Sequence, residues 1–208
     1  MTFFGRGERC EWALNRQVMS HFLSAVRERF LDCFRQSIEK ARADLDTMAT
    51  ELLVEWSNKI YPEYCFRLYR TDIIGKQAEK TIVREIAHEA IECLGSKDNL
   101  PIKVHIVSAM VWYGIDFRVT GGPPSLGEII KWSERWLDLE DARFVEGQLF
   151  QEVIHNIKPP AATEDGYTVS VDFGTAPTTA FDELIGLLLQ NASRVEVGSY
   201  LLTQPEPS

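Results

Sequence analysis

The chain has no two cysteines close enough to grip a metal or to cycle as a redox couple. Cys10, Cys33, Cys65 and Cys93 are widely spaced and form no C-x-x-C pair, which excludes a zinc knuckle and a thioredoxin-like motif. Free thiols are expected instead. Cys10, Cys33 and Cys93 fall in segments that read as helical, where cysteine serves as a small apolar residue. A long hydrophobic run is also missing. The richest stretch, Ile106 to Ile115, is interrupted by Ser108 and Gly114 and falls short of the roughly 20 residues a spanning helix needs. The first eleven residues carry Arg6 and Arg9 with no apolar core behind them, so no secretory signal is expected and the expected location is cytoplasmic.

Basic charge is scarce where it would matter for nucleic acid or anionic lipid. The formal net charge is −9; residues 121–208 hold 5 Lys or Arg against 14 Asp or Glu, whereas residues 1–120 hold 17 of each. The whole imbalance therefore belongs to the C-terminal part. Such a surface repels phosphate backbones and attracts basic protein surfaces by raising encounter rates. Solubility alone is the plainer use of this charge. With 45% apolar and 25% charged residues the chain has the composition of a folded domain.

Between Glu8 and Tyr61 there is neither Gly nor Pro, and apolar residues from Phe22 through Phe30, Phe34, Ile38 and Leu45 to Trp56 keep to one stripe at 100° per residue. One unbroken helix would outgrow a compact domain, so a break near Arg42 to Thr47 is favoured. There Asp44, Asp46 and Thr47 could cap a second helix. The alternative is a protruding helix that pairs with another copy. Tyr64 to Arg70 reads as a short strand, Lys76 to Leu94 as a helix stopped by Gly95, Ile102 to Thr120 as two strands whose first half fits a buried helix behind Pro101 equally well, and Ser125 to Leu137 as a helix behind a capping box. Glu140 to Ile157 reads as a further helix. The end alternates cleanly as strand (Tyr167 to Phe173), helix (Thr179 to Leu189) and strand (Arg194 to Leu201), and 203–208 should be a disordered tail. The expectation is one α+β domain over 1–202. A helical hairpin spans 8–61 and a strand and helix region 62–158; the small mixed sheet includes a β-α-β unit at 166–202.

Two Glu-x-x-His units, Glu85 with His88 and Glu152 with His155, have a spacing similar to the ligand pattern of ferritin-like di-iron bundles. Glu51 or Glu55 and Glu128 or Glu134 could supply the further carboxylates such a centre needs. On a helical wheel, however, Glu85 and His88 point about 140–160° away from their stripe, and His155 likewise lies opposite its own, whereas di-iron ligands point inward. A solvated charged face is the plainer reading, and no cofactor is expected. Asp172-Phe173-Gly174 copies a kinase tripeptide but lacks every companion motif. Asn191-Ala-Ser193 matches a glycosylation sequon, which the expected cytoplasmic location would leave unused.

Trp132 and Trp136 stand one turn apart beside Lys131, Glu134 and Arg135, at the opening of the acidic part. Core packing is the commoner role for such a pair; if exposed, the rings would anchor an interface with Asp138, Glu140 and Asp141 supplying orientation. The sequence therefore points to a non-catalytic acidic protein-binding module, an adaptor, inhibitor or immunity-type partner docking on a basic protein surface. The alternative is a di-iron-like metal-binding protein or oxidoreductase. A small-molecule pocket between the final sheet and the helices is a third possibility on which the sequence is silent.

Overall fold

The computed structural model describes residues 16–56, 61–92, 103–122 and 125–199, with side chains from residue 19 onward. The expected tail at 203–208, Cys10 and Cys93 lie outside these residues. The chain opens with helix α1 (Arg16–Asp44), then β1 (Thr47–Thr50) and β2 (Leu53–Glu55). A 3-10 turn (Tyr64–Arg67) runs into β3 (Leu68–Arg70), succeeded by β4 (Ile73–Gln77), β5 (Lys80–Arg84), β6 (Val104–Ile106) and β7 (Ile115–Gly121). Next come α2 (Leu126–Leu137), β8 (Asn156–Ile157), β9 (Ala161–Ala162), β10 (Gly166–Asp172), α3 (Thr178–Leu188) and β11 (Ala192–Gly198).

The largest sheet has the order β6-β11-β7-β10-β8, with β9 also on β10. β6 runs parallel to β11, and every other pairing in it is antiparallel. Because β10 and β11 each pair antiparallel with β7, they run parallel to one another, and α3 makes the crossover over the strand between them. This is the expected C-terminal β-α-β unit in an α+β fold with a mixed sheet. Its inner face is aromatic. Phe173 packs on Trp112, Phe117, Trp132 and Phe181 at centroid separations of 4.9 to 6.3 Å, each such pair contributing about 0.5–1.5 kcal/mol beyond its area.

The N-terminal stripe behaves as a helix only to Asp44. Leu23, Val26, Phe30, Phe34, Ile38 and Ala41 are buried within the chain, and the break falls in the window where Asp44 to Thr47 was expected to cap. Beyond the break the chain is strand, not a second helix: β1 joins β4 and β5, and β2 pairs with β3. The helical hairpin is therefore corrected to one helix and two short strands. Asp46 does not cap a helix; its Oδ2 accepts from the Ala78 amide at 3.0 Å.

Over the described residues 76–92, the expected helix from Lys76 to Leu94 is corrected to the β4–β5 hairpin and an irregular segment beyond it. Its β-branched run Thr81-Ile82-Val83 suits the pleated ladder, and the reversal is hidden because Ala78 and Glu79 form the two-residue turn at φ of 47° and 68°. A turn of that hand favours Asn-Gly. Replacing Ala78→Asn together with Glu79→Gly is expected to stabilise the protein by about 1 kcal/mol, raising Tm by roughly 2–4 °C; an unchanged or lower melting temperature would contradict the left-handed turn.

The expected helix over Glu140 to Ile157 is corrected to a chain of turns leading into β8. Tyr64 to Arg70 is a 3-10 turn plus a three-residue strand. Ser125 begins α2, but through its carbonyl, which accepts from the Glu128 and Ile129 amides, and not through a side-chain cap. Among the described residues no helix is long and apolar enough to cross a membrane.

Candidate functional site

His155, expected on the outer face of a helix, lies in the interior just ahead of β8 at 1% exposure. Its Nε2 stands 2.9 Å from Glu51 Oε1 and its Nδ1 2.8 Å from Asp72 Oδ1. Glu51 is fully buried. It also takes the Thr175 hydroxyl on Oε1 and the Gln151 amide on Oε2 at 2.7 Å, while the second oxygen of Asp72 takes the Ile86 amide at 2.5 Å. The rings of Phe30 and Phe34, each 6.2 Å from the imidazole centroid, pack on it from α1. Burial by itself would push the imidazole down, but the bonds to Asp72 and Glu51 and the charges of Asp72 and Asp172 outweigh it and raise the pKa to about 10. His155 is thus a buried imidazolium between two carboxylates. Burial also raises Asp172 to about 7, against the pull of His155.

Gly174 is required by this arrangement. It sits at φ +48°, and a Cβ there would overlap the His155 ring, so the Asp172-Phe173-Gly174 tripeptide is a close approach of backbone to imidazole.

Arg70, at the end of β3, extends the network outward. Its guanidinium is buried and donates to the carbonyls of Leu137 (2.6 Å), Glu51 (2.7 Å) and Asp138 (2.5 Å), to Gln151 Oε1 (2.9 Å) and to Asp141 Oδ1 (2.8 Å). The Leu137 and Asp138 carbonyls are those a continuing helix would offer to the amides four residues on. Arg70 occupies them, α2 stops, and Asp138 turns into the left-handed region at φ 52°. The Asp138 carboxylate then takes the Ala142 and Arg143 amides at 3.1 and 2.8 Å. The chain continues from Asp138 as turns, the Asp138 carbonyl also accepting the Asp141 amide at 3.0 Å, and not as the expected helix.

The segment from Asp138 to Glu152 is therefore a loop pinned at both ends to buried charge. Its middle projects: Phe144 and Val145 are 60% and 57% exposed, with exposed Glu140, Asp141 and Glu146 beside them in sequence. Arg143 folds back over the Trp136 ring at 4.2 Å and donates to the Glu152 carbonyl. Four of the six non-glycine residues at positive φ among the described residues, Glu51, Asp138, Asp141 and Glu152, belong to this loop or its clamp. Backbone strain of about 1–3 kcal/mol at each persists only where the surroundings over-determine it, and it concentrates at functional sites.

The expected anchors lie elsewhere. Trp132 and Trp136 are buried, their indole N–H groups given to the Ala180 carbonyl and Glu183 Oε2; Trp136 lies under Arg143 of the loop, and the exposed aromatic within the loop is Phe144, Trp56, Tyr61 and Tyr64 being exposed elsewhere. Asp138 is buried as a cap, Asp141 is shared with Arg70, and Glu140 is exposed.

The two Glu-x-x-His units are on no helix. His88 is half-buried, pushed below its usual value by burial. Its Nδ1 meets the Glu89 carbonyl at 2.8 Å and its Nε2 accepts the Trp112 amide at 3.3 Å. All four ring nitrogens of the two histidines thus have a polar protein atom within 3.3 Å, a carboxylate on each side of His155 and main-chain groups at His88. Glu85 and Glu152 are exposed. Glu51, nominated as a further ligand, does reach His155, but as its hydrogen-bond partner. No group of three or more His, Cys, Asp or Glu among the described residues is arranged to hold a metal ion. The Cys65 thiol is pushed up to about 11 by burial and by the charge of Glu134, and stays protonated near neutrality. No known protein family, curated protein or solved structure matches the chain.

Proposed function

We propose that the chain is a non-catalytic docking module that presents the 138–152 loop to a basic protein surface containing an apolar pocket. The observation that carries this reading is the exposed Phe144-Val145 pair among Glu140, Asp141 and Glu146, on a backbone held by Arg70. An aromatic on a pre-ordered loop loses little conformational entropy on binding, and the carboxylates around it steer a positive partner and set its register. The acidic excess of residues 121–208 adds long-range attraction of the same sign.

The test is affinity capture from native cells with three baits, the wild-type chain, Phe144→Ser and Glu140→Gln/Glu146→Gln. Proteins retained by the wild type should be basic. Phe144→Ser should weaken their binding by about 30-fold or more, as loss of an interface anchor does. The double Gln variant should slow association and flatten its dependence on salt between about 50 and 500 mM. Capture that is indifferent to Phe144→Ser would remove the loop from the interface.

A further inference from the structure

A concavity lies at the other end of α2. The helix begins at Leu126 and is capped by Asp138, a rise of about 18 Å at 1.5 Å per residue, so the Leu126 end is a separate place on the surface. There a cleft of about 820 Å³ is bounded by the start of β10, the β8–β9 connection and the 3-10 turn, within the roughly 300–1,000 Å³ of ordinary ligand sites. Its apolar lining comes from Phe66, Leu126, Pro159 and Tyr167. The charged groups on its wall are Glu63, Glu164 and Asp165, and no Lys, Arg or His among the described residues lines it. Asp165 shares its charge with Arg118 at 3.4 Å. Ala162, on the same wall, belongs to β9, which pairs with β10 alone among the described residues.

From this combination we infer that the cleft seats an extended basic peptide segment of a protein partner, with Lys or Arg facing Glu63 and Glu164 and apolar neighbours on Phe66, Leu126 and Tyr167. An anionic ligand would meet only like charge. A purely apolar one would leave the two glutamates partly desolvated with nothing opposite them. An extended backbone also suits the wall that β9 forms, where strand addition supplies main-chain hydrogen bonds and pockets select side chains. No residue of the 138–152 loop lines this cleft, so either surface can bind without the other.

The experiment is an amide NMR titration of the full chain with the blocked pentapeptide Val-Lys-Leu-Arg-Val. Three comparison ligands are the same peptide with Glu for Lys and Arg, the same peptide with Ser for the apolar residues, and n-octylammonium. The basic peptide should shift the amides of Glu63, Leu126, Ala162, Gly166 and Tyr167 and leave 140–148 in place. The Glu-bearing and Ser-bearing peptides should bind at least tenfold more weakly. Glu63→Gln/Glu164→Gln should weaken binding roughly five- to tenfold, in line with exposed charge pairs. Ala162→Arg, which fills the wall with like charge, should abolish it; both variants must keep the wild-type melting temperature. Equal binding of the Glu-bearing peptide, equal binding of n-octylammonium, or shifts confined to the 138–152 loop would each overturn the assignment.

Discussion

Substituting His155→Leu is expected to destabilise the protein by about 3–5 kcal/mol at neutral pH, because it leaves two buried carboxylates facing one another with their cation gone. Leucine fills much of the ring volume, so the loss would report charge and not a cavity. At this chain length the melting temperature should fall by about 10 °C or more. The pH dependence separates this cause from simple misfit. A histidine whose pKa rises from 6.5 to about 10 on folding contributes stability that is complete below about pH 6.5 and is lost as pH climbs through 10. Asp172, raised from 3.8 to about 7, acts in the same direction over a lower window, since its ionisation between about pH 4 and 7 costs the folded state. The wild type should therefore lose stability between about pH 6.5 and 10, and His155→Leu should lack that component. Combining it with Glu51→Gln should cost less than the two changes summed, as expected for groups in direct contact. If His155→Leu melted within about 3 °C of the wild type at neutral pH, the buried imidazolium would not be what holds α1, β4 and the 155–175 region together.

The second large effect is expected at Arg70. Arg70→Leu removes the donor to three main-chain carbonyls and two side chains in one step and should also cost about 3–5 kcal/mol. Its signature is local. Hydrogen exchange should accelerate first at amides 138–151, and most at Gln151, whose amide bonds Glu51. The sheet amides of β7, β10 and β11 should slow or quicken only with global stability. Arg70→Lys should recover less than half of the loss, because the three donors of one ammonium cannot reach five acceptors spread around the edge of a planar guanidinium. In the docking assay both Arg70 variants should weaken partner capture although neither touches Phe144. Uniform acceleration of exchange across the chain would make Arg70 a general core residue with no special hold on the loop.

How far each of these features was legible in the sequence depends on the range of the interaction that creates it. The α1 stripe, the β10-α3-β11 unit and the α2 boundaries were readable because periodicity and breakers act over a few residues: alternating burial from Gly166 to Asp172, apolar spacing from Ala180 to Leu188, and Gly121 to Pro124 between β7 and α2. The β4–β5 hairpin was not readable. Its turn uses Ala78 and Glu79, good helix formers in a conformation that neither prefers, and only pairing of β4 with β1 makes the strand form the better state.

The candidate site was misread for a related reason. Glu51, Arg70, Asp72, His155 and Thr175 are separated by as many as 124 residues, and each looks like an ordinary solvent-facing polar residue until the fold buries it. Four unusual backbone conformations at acidic residues also leave no mark in the sequence.

What the sequence determined by itself is local or summed: an α+β composition, an acidic excess confined to residues 121–208, and elements whose pattern agrees with their environment. Tertiary structure alone decided which charges went inside. Burying a charged group is favourable only when opposite charges and donors from distant segments arrive together. That condition turned His155 from an expected surface residue into a buried one, ended α2 at Leu137, and left Phe144, rather than Trp132 or Trp136, facing outward.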